Sequence, residues 1–311
     1  MPTTLRALLP AERAGGPASP ELLERRAKFI ATEIDPELRV TAGDTDFAGV
    51  DCRTVCAGDR ITVLYLHGGG YRMGRPEAYD AYVAALAAGA ETTIVAPRYR
   101  LAPENPFPAG LSDALAVYEE LASATDRPIV VAGDSAGAGL AAAVVVAVSA
   151  SDVRTPGGLM LLSPWLDLHC SSPFYGTSTD TYFPLANAES ARDDYLQGAS
   201  AGDPLASPLL ADHTGFPPTL IQVGGNEALV GDALGLARAL ATANITCTLE
   251  VIADQGHTWP LICPDHGDSI LSIESCVRFL RTIDAGKLST DGARVSRGLP
   301  KPDGRISEET R

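Results

Sequence analysis

Apolar runs of two kinds alternate along this chain. Short runs rich in valine, isoleucine and leucine, at residues 61–66, 92–96, 128–132, 159–162, 219–223 and 246–252, have the length and composition of buried strands. Between them lie alanine- and leucine-rich stretches long enough for helices, at 76–89, 111–122, 138–150, 232–243 and 269–283. Strands alternating with helices predict an α/β fold, a mainly parallel central sheet covered on both faces. Ahead of this series, residues 40–56 give two short β pieces around Gly49. Residues 20–32 have helical spacing, with Leu22, Leu23, Ala27 and Ile30 on one side and charges on the other, and Ser19 is placed to cap that helix.

The alternation breaks once. From Trp165 to about Pro217 the chain carries several prolines, a polar cluster at 171–180 and a helical piece near 188–197. This stretch is too long for a simple loop and predicts an insertion over the sheet's edge. Beyond residue 284 apolar content falls away, which predicts a disordered tail.

Length and composition narrow the class without choosing a function. The 311 residues fit one large α/β domain, or one with an insertion. With 45% hydrophobic and 20% charged residues the chain has the make-up of a soluble globular protein. A net charge of −15 argues against nucleic acid and anionic membrane surfaces as partners. No apolar run is long enough to span a bilayer, and the first twenty residues lack the basic start and apolar core of a secretory signal. The six cysteines show no metal-ligand spacing and read as reduced thiols of a cytoplasmic protein without a metal.

The chemistry concentrates where the strand at 128–132 runs into Gly133-Asp134-Ser135-Ala136-Gly137 and then into a helix. Gly-x-Ser-x-Gly in a strand–turn–helix context is a nucleophile elbow, which holds the serine oxygen exposed above a helix N-terminus. A serine hydroxyl needs a base to take its proton, usually a histidine oriented by a carboxylate. After an elbow of this type the acid and then the histidine follow along the chain. Of the five histidines, His169 and His213 lie in the irregular stretch, His67 precedes the elbow, and His266 stands near a helix start. His257 follows the strand at 246–252 directly, on the rim the elbow shares, and is the expected base. The acid belongs after the strand at 219–223, where Glu227 is the nearer candidate; Asp232 sits where a helix N-cap belongs. His67-Gly68-Gly69-Gly70 ends the strand at 61–66 and has the form of an oxyanion loop, with Gly68, Gly69 and the Ala136 N–H as expected donors. Tyr71, Trp165 and Phe183 are candidates to line the substrate pocket.

Four motifs occur in order: His67-Gly68-Gly69-Gly70; Tyr99-Arg100-Leu101-Ala102-Pro103-Glu104 with Pro106-Phe107-Pro108-Ala109; Gly133-Asp134-Ser135-Ala136-Gly137; and Asp203-Pro204-Leu205-Ala206-Ser207-Pro208-Leu209. Over residues 20 to 283 the chain thereby resembles the hormone-sensitive-lipase family of α/β-hydrolases, of the bacterial esterase type. The resemblance implies carboxylic ester hydrolysis through a serine triad with no cofactor. It also implies a cap made of residues 1–45 and 165–215 over a catalytic domain of 46–164 and 216–283. Many members carry Asp-Pro-Leu at the acid position; Gly224-Gly225-Asn226-Glu227 is instead similar to the branch in which a glutamate follows Val-Gly-x-x, and Asp232 stays the alternative. By analogy, a homodimer through the strand at 246–252 is possible. Two other functions share the scaffold: acyl transfer or elimination on a biosynthetic intermediate, and non-catalytic binding of a small ligand.

Overall fold

The computed structural model describes residues 5–179 and 181–286. In chain order its strands are β1 (Thr41–Phe47), β2 (Val50–Cys56), β3 (Thr62–Leu66), β4 (Thr93–Pro97), β5 (Ile129–Asp134), β6 (Gly158–Leu162), β7 (Thr219–Gly224) and β8 (Cys247–Ile252). The helices are α1 (Pro20–Arg26), α2 (Asp80–Ala90), α3 (Ala109–Ala124), α4 (Ser135–Ser149), α5 (Leu185–Leu196), α6 (Val230–Thr242), α7 (Trp259–Ile262) and α8 (Gly267–Asp284). The eight strands form one sheet in the order β1-β2-β4-β3-β5-β6-β7-β8. From β4 to β8 all pairings are parallel, and β1 and β2 add an antiparallel edge.

Alternate residues of the central strands feed opposite faces, as the pleat requires. Leu64 and Leu66 of β3 and Val131 of β5 pack into a core shared with α3, α4 and α6. Val63, Tyr65, Val130 and Ala132 pack into a second core under α2 and α8. The order β4-β3-β5 also fixes where a site belongs. The chain steps from β3 to one side for β4, then returns to the other side for β5. At such a switch point the loops leaving two neighbouring strands diverge and open a crevice at their carboxyl ends. Here those loops are the glycine triplet after β3 and the elbow after β5.

Structure and expectation part at the N-terminal helix. The N-terminal helix stops at Arg26, not Thr32, although Ser19 does cap it, its Oγ accepting from the Leu22 N–H at 3.2 Å. Only Leu22 of its apolar set is buried; Leu23 and Ile30 are exposed. The physical reason is tertiary: the Arg26 guanidinium donates to the Arg72 and Ala102 carbonyls and to Glu104, and the Thr32 N–H donates to the Glu77 carbonyl. Those bonds pull the chain out of helical register. The irregular stretch opens with Trp165, Leu166 and Leu168 fully buried in the core. The short helix α7, directly after His257, has no periodic signal in the sequence. Most of the expected tail, residues 287–311, lies outside the described residues.

Candidate active site

β5 passes into α4 with no intervening loop, and Ser135 at the junction has φ +52°. That left-handed conformation is strained for a residue with a Cβ and is held only by what surrounds it. The turn is tight enough that a Cβ on Gly137 would collide with the Leu66 and His67 carbonyls. Only glycine lets α4 start so close to the end of β3.

Three side chains from beyond the carboxyl ends of three strands, β5, β7 and β8, meet there. His257 Nε2 stands 2.9 Å from Ser135 Oγ, and His257 Nδ1 stands 2.7 Å from Glu227 Oε2. Glu227 is fully buried. Its Oε1 accepts from the Gly224 N–H at 2.7 Å and from the Ser163 hydroxyl at 2.6 Å. Ser163 Oγ in turn accepts from the Thr258 N–H at 3.0 Å. Ser163, the residue just past β6, thus ties the acid to the chain beside the histidine. Sequence reasoning missed it; its one signal is a polar residue at the carboxyl end of a strand lying between those of Ser135 and Glu227.

The other histidines are engaged elsewhere. His67 is buried and stacked on Tyr99, its Nδ1–H donating to the Gly68 carbonyl at 2.8 Å, and burial pushes its pKa down to about 4. His213 Nε2 pairs with the Pro208 carbonyl, His169 Nδ1 with Asp167, and His266 caps α8 by accepting from the Asp268 N–H.

Asp232 is no N-cap. It lies inside the first turn of α6, and its Oδ2 accepts from the Leu166 and Asp167 N–H groups at 2.7 and 3.0 Å. The carboxylate braces the segment behind Trp165 and does not face His257. Burial pushes its pKa up to about 7, with Asp167 adding to the rise. A raised carboxyl pKa makes the folded state lose stability as pH climbs from the ordinary aspartate range through 7. Asp232→Asn keeps the acceptor oxygen and removes the titration. Its melting temperature relative to the parent is therefore expected to rise between pH 4 and pH 8, by an amount worth about 1–3 kcal/mol. Thermal melts of both proteins across that range check it; a constant difference refutes it.

The glycine triplet is arranged differently from expectation. The Gly68 N–H points away from the crevice and donates to Asp134 Oδ1 at 2.9 Å, an oxygen that also accepts from the Tyr65 hydroxyl at 3.0 Å. A Cβ on Gly68 would collide with Asp134 Oδ2. Gly69 and Gly70 instead line the crevice beside Ser135, and among the described residues their N–H groups have no acceptor. The expected donor Gly68 thus has its N–H committed to Asp134, while those of Gly69 and Gly70 lie beside the first-turn N–H of Ala136, which an α-helix leaves without an intrahelical partner. Asp134 is buried, which pushes its pKa up to about 6 against the pull of Tyr65 and Gly68.

The crevice is a pocket of about 440 Å³ with Ser135 and His257 in its wall. Phe183 lines it and stacks on the His257 ring at 5.5 Å. Tyr71 and Trp165 do not line it. Tyr71 is stacked on Tyr195 at 3.8 Å, and Trp165 is fully buried between Tyr71 and Phe183. Both rings support the wall from behind. No helix among the described residues is long and apolar enough to cross a membrane.

Comparison with known proteins finds relatives in both sequence and fold. A family model described as alpha/beta hydrolase fold matches residues 63–261. An acetyl-hydrolase of Streptomyces hygroscopicus is 39% identical over 228 residues, 72% of this chain and 76% of that one. A carboxylesterase/phospholipase of Mycobacterium tuberculosis, LipF, is 34% identical over 254 residues, 77% and 67% of the two chains. The crystal structure of the esterase EstE5 soaked with p-nitrophenyl butyrate matches with a TM-score of 0.81 at 30% identity, covering 87% of this chain and 93% of that one. An esterase of the bacterial hormone-sensitive lipase family matches with a TM-score of 0.78 at 33% identity, covering 81% and 87%. Fold, elbow and relatives together place the chain in the hormone-sensitive-lipase family of α/β-hydrolases, to which it belongs as an enzyme that hydrolyses carboxylic esters.

Proposed function

We propose that Ser135, His257 and Glu227 act as the nucleophile, base and acid of an ester hydrolase for short- to medium-chain or small-molecule esters. The observation that carries this reading is the unbroken chain from Ser135 Oγ through His257 to Glu227, at 2.9 and 2.7 Å, in the wall of the pocket. Ser135 Oγ attacks the ester carbonyl while His257 Nε2 takes its proton. The negative charge that develops on the carbonyl oxygen is held by the N–H groups of Gly69, Gly70 and Ala136. His257 then hands the proton to the departing alkoxide, and water repeats the sequence on the acyl-enzyme. A volume of about 440 Å³ lies toward the small end of ligand sites, which favours small acyl groups. The test is turnover of p-nitrophenyl esters from acetate to octanoate, with products analysed in the presence of a competing alcohol. Rates falling beyond about six acyl carbons and free acid as product are expected; a preference for long chains or transfer to the alcohol would refute the reading.

In this reading residues 1–45 and 165–215 form a two-part cap, supported by Arg25 and Lys28 from the first part and Phe183 and Asn187 from the second, all at the pocket. A cytoplasmic location is supported by six free cysteines. The outer edge of β8, where Val251 is half-exposed, is the surface for a homodimer.

Asp134 has a definite part. By engaging the Gly68 N–H it turns the next two N–H groups toward the carbonyl oxygen. Asp134→Ala leaves that N–H and the Tyr65 hydroxyl buried without an acceptor. The substitution is expected to lower kcat about 100-fold and stability by about 2–4 kcal/mol. Asp134→Asn, which retains an acceptor oxygen, is expected to keep most of both. Ester kinetics and thermal melts of the two variants check this; equal kcat in Asp134→Ala and the parent would refute it.

A further inference from the structure

The pocket is basic in an acidic protein. The chain has a net charge of −15, yet Arg25, Lys28 and Arg72 line the pocket, and among the described residues the single acidic one with them is Asp134. That carboxyl is engaged by Tyr65 and Gly68. Among the described residues Arg25 and Lys28 make no ion pair. Arg72 is 6% exposed. Its Nη1 donates to Asp194 at 2.6 Å and to the Ser190 hydroxyl at 2.9 Å, while its Nε is buried without an acceptor. A buried guanidinium N–H without a partner is costly, and an acceptor brought by a ligand removes that cost. The Nε also stands next to the oxyanion loop, 4.0 Å from where a Cβ on Gly70 would be.

The cations are held in place. Arg26 is clamped to the Arg72 carbonyl at 2.7 Å, and to Ala102 and Glu104, which fixes the end of α1 against the loop that follows the glycine triplet. Its neighbours Arg25 and Lys28 are thereby kept at the rim. A second cavity shares Arg25, Arg72 and Asn187 with the first and is lined also by Glu21 and Asp194. Glu21 and Asp194 thus line the second cavity and not the one that holds Ser135.

We propose that this site selects small esters bearing a carboxylate a few bonds from the scissile carbonyl, read by Arg72 Nε with Arg25 and Lys28. The inference rests on the ester-hydrolase reading above. A carboxylate offers two acceptor oxygens, one for the orphaned Nε–H and one for the rim cations. The long-range attraction of two unpaired cations also raises the encounter rate of an anion that the rest of the surface repels.

The test compares the monomethyl and dimethyl esters of succinate, glutarate and adipate at low salt. At the favoured length the parent enzyme is expected to show a kcat/KM for the monoester at least tenfold above that for the diester. Arg25→Gln/Lys28→Gln is expected to cut this ratio about tenfold, mainly through KM, as is 0.5 M salt. Arg72→Lys, which keeps the charge but removes the Nε–H, should cut it as well. Calorimetric titration of the best monoester into Ser135→Ala gives a readout free of turnover, and the binding it measures should weaken likewise in Ser135→Ala/Arg25→Gln/Lys28→Gln. A parent that prefers diesters at every length, or a ratio unmoved by the rim variant and by salt, overturns the proposal and leaves ester hydrolysis standing. If neither ester is turned over while p-nitrophenyl esters are, the proposal fails and the hydrolase reading stands; if p-nitrophenyl esters are not turned over either, the hydrolase reading fails, and binding to Ser135→Ala alone decides this one.

Discussion

Ser135→Ala is expected to lower kcat for a short-chain p-nitrophenyl ester by about 10⁴–10⁶, the usual cost of losing the nucleophile of a serine triad. The fold should not notice. Alanine removes one oxygen that touches only His257 Nε2, and the Cβ responsible for the strain at φ +52° remains. The melting temperature is therefore expected to stay within a degree or two. Ser135→Gly supplies a control from the same position. It is equally inactive, but glycine relieves the left-handed conformation and should be more stable than the alanine variant by about 1 kcal/mol. Activity within tenfold of the parent in either variant would remove Ser135 from the reaction.

Glu227→Gln should cost about 10³–10⁴ in kcat, and the reason is a tautomer rather than a fold. The glutamine oxygen can occupy the place of Oε1 and still accept from Gly224 and Ser163. Its amide N–H₂ then faces His257 Nδ1, which must accept instead of donate. The ring proton moves to Nε2, the atom that has to receive the serine proton. The imidazolium also loses the carboxylate that stabilises it. Shape is conserved, so the melting temperature should barely change, whereas Glu227→Ala would leave Ser163 and Gly224 unsatisfied and cost several degrees. Asp232→Asn, far from His257, should leave kcat within a few-fold. The opposite ranking, with Asp232→Asn inactive and Glu227→Gln active, would reassign the acid. Steady-state rates on the three variants decide it.

What could be read from the chain beforehand divides along a physical line. Strand and helix order, the elbow, and the loop that carries each of Ser135, Glu227 and His257 follow from local patterns, because each element announces itself within ten or fifteen residues. The structure departs from expectation wherever direction depends on a distant partner. Gly68 and Gly70 look alike in the sequence; a carboxylate 66 residues on decides which N–H faces the substrate. Asp232 occupies a capping position by count, yet its acceptors are drawn by a segment 65 residues earlier. Tyr71 and Trp165 are aromatic and near the site in sequence, and only packing reveals that they stand behind the wall. α1 is shorter than its periodicity predicts for the same reason, since Arg26 answers to Arg72 and Glu104 rather than to helical spacing.

Leu66 and Gly133 are register partners on adjacent strands, one leading into the oxyanion loop and the other into the elbow. The spacing between attacking atom and anion donors is therefore inherited from a backbone ladder, whose smallest error is one whole residue, about 3.3 Å. Reactivity of this kind does not degrade by degrees: it is kept while the sheet is intact and vanishes with it. The selecting side chains lie outside that ladder, Arg25 in the last turn of α1, Lys28 just beyond it and Arg72 in the loop after the glycine triplet, and are held by side-chain hydrogen bonds rather than by strand register. Heating, or a run of mutations, should accordingly blur which esters are accepted well before it slows the chemistry done on them.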